Sequence, residues 1–190
     1  MMIRRSIFAA ILLAVTTPAL AHVGEHAVSG FSSGFLHPFG GIDHTLAMLA
    51  VGLFAALLSG RALWALPVSF IAMMLMGGGL GLLEAELPAV ESGIAASVII
   101  LGVVVALGWR WPVSAAMVLV GAFAVFHGYA HGAEIPADAD GVAYGAGFSL
   151  ASMTLHGAGI AAGVVALNRT IVVRLAGAGI AATGFILALS

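Results

Sequence analysis

Cysteine is absent from this chain, and so is lysine, because all six basic residues are arginine. Without cysteine there are no disulfides, thiolate metal sites or cysteine-held iron–sulfur clusters. Without lysine there is neither a Walker P-loop nor a lysine Schiff base. Charge of either sign is scarce. Charged residues make up 7% of the 190, against about 25% in a soluble domain, so the chain lacks the polar surface a globule needs. What is present instead is apolar: 62% hydrophobic residues and a mean hydropathy of +1.18. Glycine, at 26 residues, is about twice its usual share of roughly 7%, which suits close helix–helix contact in a bilayer. A formal net charge of −2 gives no footing for nucleic-acid binding.

Residues 1–21 read as a cleaved secretory signal peptide. Arg4 and Arg5 form the basic segment, an apolar core follows, and Ala19-Leu20-Ala21 is a small-x-small cleavage site. The mature domain, 22–190, is expected to be all-α, with six membrane-spanning helices at 35–58, 63–83, 93–109, 113–132, 142–167 and 171–189. The period-2 alternation of a membrane barrel is missing. Arg61 and Arg110 fall at alternate connections, with Arg169 and Arg174 around spans five and six, whereas Glu84, Glu86, Glu91, Glu134, Asp138 and Asp140 fall at the others. The positive-inside rule then puts the arginine loops in the cytoplasm and both mature termini outside, the orientation a cleaved signal peptide also predicts. Gly77/Gly81, Gly128/Gly132 and Gly159/Gly163 are small-xxx-small pairs, read as packing sites. Met73, Met74 and Met76 read as core filler.

Seven histidines in so apolar a chain are many, and ionisable residues at membrane depth mark a pathway or site. Two clusters carry them. HPFGGIDH holds His37, Asp43 and His44 at the outer end of the first span. FHGYAHGAE holds His127, His131 and Glu134 at the outer end of the fourth, where their spacing forms one helical stripe. His22 and His26 lie in the outer N-terminal segment, and His156 near mid-membrane. On an ideal helix His37 and His44 stand about 10 Å apart, too far for one ion. Pro38, favoured at a first helical position, suggests that His37 precedes the helix proper, or else the motif provides two successive stops. Gly40 and Gly41 would let the backbone bend there. Nitrogen and carboxylate ligands without sulfur suit Ni²⁺, Co²⁺ or Zn²⁺ and disfavour Ca²⁺ and Mg²⁺.

These two motifs resemble the HupE/UreJ family of bacterial nickel/cobalt permeases, which carries His-Pro-x-x-Gly-x-Asp-His early in the mature chain and Phe-His-Gly-x-x-His-Gly-x-Glu later. Both match in full, and the resemblance covers nearly the whole chain. It implies a secondary transporter of the cytoplasmic membrane, not an enzyme, with His37, Asp43, His44, His127, His131 and Glu134 handling metal. His22, His26 and His156 extend that pathway from the residue reading alone. Ni²⁺ or Co²⁺ would be the transported substrate, with Zn²⁺ also compatible. No prosthetic group, nucleic acid or ATPase subunit is expected; the partners are the metal ion and the bilayer. The competing reading is a membrane-embedded zinc hydrolase using the same histidines. It lacks the HExxH signature.

Overall fold

The computed structural model describes residues 30–135, 140–166 and 169–189. The signal peptide, His22, His26 and Asp138 lie outside the described residues. Seven helices are described: α1 Gly30–Gly40, α2 Ile42–Leu58, α3 Ala62–Leu82, α4 Val90–Leu107, α5 Val113–Ala133, α6 Gly141–Val165 and α7 Thr170–Ala188. There is no strand among the described residues, so the all-α expectation holds. Helices α3 to α7 are each long and apolar enough to cross a membrane, and α1 with α2 supply a sixth span if the bent pair is taken as one.

The ends of these helices follow local chemistry. Gly108 closes α4 in the left-handed conformation, with φ of 67°, a backbone state that glycine enters without a Cβ clash. Pro112 then begins α5 from extended backbone, which accounts for the predicted break between the third and fourth spans. The Asp140 carboxylate accepts from the Val142 and Ala143 amides at 2.9 and 3.1 Å, satisfying two of the free donors that open α6. The third span is displaced toward its N-terminus, running Val90–Leu107 and not 93–109. It so takes Glu91 into its first turn.

The first span departs from expectation. It is two helices bent by 85° at Gly41, not one helix over 35–58. Pro38 does not open a helix either, since it lies inside α1, with His37 in the last turn beside it. Proline removes one intrahelical hydrogen bond, and the chain turns three residues later, where Gly41 is extended (φ −105°, ψ 123°). Thr45 fastens the corner from the far side: its Oγ1 donates to the Pro38 carbonyl at 2.8 Å.

Glycine seams then set the packing. Helix α3 lies along α5, α4 along α7, and α6 along both α1 and α2. A methyl on Gly77 or Gly81 would strike the Val125 or Tyr129 carbonyl, and one on Gly128 or Gly132 the Met74 or Gly78 carbonyl. Gly159 meets Gly52 in the same manner. Such approach trades side-chain bulk for backbone contact, as helices in lipid do. The core gathers on α2, where Met48, Val51 and Phe54 meet Leu66, Phe70, Leu101 and Val105. Met74 joins this core, whereas Met76 is exposed on the outer surface with Leu75, Val118 and Phe185. The filler reading therefore holds for Met74 and not for Met76.

Candidate metal site

The corner at Gly41 brings His37 and His44 to one histidine of α5. The His37 and His131 ring centroids are 4.7 Å apart, and those of His44 and His131 4.3 Å. His44 also touches His127, at 4.7 Å and nearly perpendicular. The run is therefore His37, His131, His44, His127, ring against ring. The separation that an ideal helix imposes between His37 and His44 does not apply, because no single helix contains both.

At the outer end of this run the ligand atoms of His37, His131 and Glu134 all lie within 4.8 Å of one another, with His37 Nε2 3.3 Å from Glu134 Oε2. Glu134 is not on the α5 stripe with the two histidines. It follows the last helical residue as the C-cap, and its side chain is 62% exposed, which lets it swing toward α1. Ligands on one ion with bonds of about 2.0–2.2 Å stand roughly 3–4 Å apart, so this trio needs only a small contraction. A cavity of ≈ 630 Å³ opens onto it, lined by His37, Asp43, His44, Glu91, His131 and Glu134. Carboxylates in its wall raise the local cation concentration.

Further in, the groups are buried. His127 is 0% exposed and His156 1%. Asp43 Oδ1 lies 2.7 Å from His44 Nδ1 and accepts the His44 amide at 2.8 Å, so it orients His44 and stays outside the outer trio. Ser97 Oγ lies 2.7 Å from His127 Nε2. Among the described residues, His44 Nε2, His127 Nδ1 and both ring nitrogens of His131 and of His156 are buried with no hydrogen-bond partner. An unpaired buried polar atom costs about 1–3 kcal/mol, and so many in one place are what a ligand-binding run looks like. Phe70 bridges the last gap, its centroid 5.9 Å from His127 and 5.0 Å from His156. Phe148 backs His131 at 4.1 Å.

Of the residues singled out from sequence, the structure brings together His37, Asp43, His44, His127, His131 and Glu134, and sets His156 beyond Phe70. Sequence reading passed over Thr45, Ser97, Phe70 and Phe148. Ser97 alone carried a signal, a hydroxyl in the otherwise apolar run of span three.

The family model described as HupE / UreJ protein matches residues 10–187. Protein HupE of Rhizobium leguminosarum bv. viciae is 42% identical over 174 residues, covering 90% of this chain and 91% of that protein. No solved structure matches. A helical bundle with ionisable residues gathered at one end, carrying both motifs and matched over nearly its whole length, belongs to the HupE/UreJ family.

Proposed function

We propose that the protein is a secondary permease that brings Ni²⁺ or Co²⁺ inward across the bacterial cytoplasmic membrane. The observation that carries this reading is the convergence of His37, Glu134 and His131 within 4.8 Å at the head of a run of buried imidazoles with unshared nitrogens. The acid-lined cavity collects the hydrated cation, and the outer trio exchanges its water for nitrogen and carboxylate ligands. His44 and His127 then offer the next nitrogens, and His156 receives the ion past Phe70. Several weak stations suit conduction better than one strong site, because the ion must leave as readily as it arrives.

The orientation follows the arginines, with Arg61, Arg110 and Arg169 on the cytoplasmic side and both mature termini outside. The membrane potential then drives the ion inward by about 4.6 kcal/mol per 100 mV, two charges at about 2.3 each. Membership of the HupE/UreJ family, whose resemblance implies nickel or cobalt as cargo, makes nickel the first ion to test.

The test is ⁶³Ni accumulation in cells expressing the wild type, His37→Ala, Asp43→Ala and His131→Ala. The wild type should accumulate nickel, with cobalt competing, and each substitution should lower the rate by about tenfold or more. A wild type that accumulates neither metal defeats the permease reading. Uptake that survives all three substitutions defeats the site assignment and leaves the permease standing.

A further inference from the structure

We propose that Ser97 is a positioning residue that fixes His127 as its Nε2–H tautomer, leaving Nδ1 as the ring atom that meets the metal ion. Ser97 sits on α4, buried at 0% exposure. Its hydroxyl has one proton, and that proton is directed to the Ile94 carbonyl at 2.6 Å. The 2.7 Å contact with His127 Nε2 is then satisfied only if the imidazole donates and the serine oxygen accepts. A neutral imidazole that donates from Nε2 carries its lone pair on Nδ1, and His127 Nδ1 is buried without a hydrogen-bond partner among the described residues. The opposite tautomer would leave a buried N–H at Nδ1 facing no acceptor.

The same device operates on the neighbouring ring with the nitrogens exchanged. His44 Nδ1 donates to the Asp43 carboxylate at 2.7 Å, and its Nε2 is the buried atom without a partner. The touching rings of His44 and His127 therefore hold one prepared lone pair each. Partners that fix the tautomer of a metal-binding histidine in this way are a general feature of metal sites. Here one partner is an ionised carboxylate near the cavity and the other a neutral hydroxyl deeper in. A hydroxyl does the same orienting work without adding a second buried negative charge that would hold a divalent ion too firmly.

The tautomer claim rests on geometry alone, and its consequence rests on the permease reading; two measurements separate them. In purified, metal-free protein labelled with ¹⁵N-histidine, with the His127 signals assigned by their loss in His127→Gln, Nε2 should be protonated and Nδ1 bare. Ser97→Ala should shift that ring to a mixture or to the other tautomer. Ser97→Thr, whose hydroxyl bonds the same helical carbonyls, should keep the wild-type pattern. In ⁶³Ni uptake, Ser97→Ala should lower the maximal rate by about 10- to 100-fold with the half-saturating concentration unchanged, because capture by His37, His131 and Glu134 does not involve Ser97. Ser97→Thr should restore the rate. A protonated Nδ1 in the wild type, an unaltered tautomer in Ser97→Ala, or a wild-type rate in Ser97→Ala overturns the proposal. A wild type that carries no nickel overturns the permease and leaves the tautomer result to stand on its own.

Discussion

Two adjacent glycines, Gly40 and Gly41, occupy the corner of the opening motif and have unlike surroundings. Nothing lies within 4 Å of a methyl placed on Gly40, whereas one on Gly41 would sit 2.7 Å from Asp43 Oδ1 and 3.0 Å from His44 Nδ1. Gly41→Ala should therefore push apart the Asp43–His44 pair and lower ⁶³Ni uptake by about tenfold or more, while Gly40→Ala stays near wild type. Equal loss in both would mean that backbone freedom, and not the space around the pair, is what the motif protects. Most of the candidate site could be read at this scale. Histidine and carboxylate declare their chemistry wherever they stand, and seven histidines in so apolar a chain have few innocent explanations. Thr45, Phe70 and Phe148 could not be read. A threonine or phenylalanine in an apolar run carries no mark of what it will touch, and their roles come from the approach of another helix.

Helix ends were readable for a related reason. Arg110, Trp111 and Pro112 before α5 and Arg169 before α7 interrupt long apolar runs, and Gly108 supplies the turn. The corner between α1 and α2 was not readable. Local preference puts proline at a helix start, yet Pro38 lies near the end of α1, because packing along α6 and the Thr45–Pro38 bond outweigh one lost helical hydrogen bond. Sequence named the paired seam glycines, Gly77/Gly81, Gly128/Gly132 and Gly159/Gly163, but not the equally close Gly34, Gly52, Gly102, Gly147 and Gly177. Gly128 faces the Met74 backbone, while Gly179 has nothing within 4 Å of an added methyl. Gly128→Ala should destabilise by about 1–3 kcal/mol through overpacking. Gly179→Ala should be neutral or stabilising, by up to about 1 kcal/mol, through helix propensity. Thermal unfolding of the purified protein in detergent reads both, and a shift of the same sign in the two would refute the seam assignment.

For the whole molecule, the proposed orientation rests on the distribution of arginine, and so on very few residues. A phosphatase reporter fused after Ser190 should be active outside the cytoplasm, and moving the arginines of the α2–α3 and α4–α5 connections to the acidic loops should weaken that activity. Cytoplasmic activity in the unaltered fusion would break the six-span arrangement. The exposed apolar faces of α5 and α7, with Val118, Leu175 and Phe185, require lipid whichever way the bundle points.

The right-angle corner leaves His37 and His44 on separate rods, and one helix touches both of them. Helix α6 meets α1 where Gly147 faces the Phe31 backbone and Gly34 faces Tyr144, and it meets α2 where Gly159 faces Leu49 and Gly52. It supplies neither histidine, yet it is the calliper that sets the gap between them. On the permease reading proposed above, ionic radius and preferred coordination number would be read across that gap. Discrimination among divalent metals can thus be retuned from α6 with every ligand unchanged, and a shift in the nickel-to-cobalt uptake ratio on Gly147→Ala would register the adjustment.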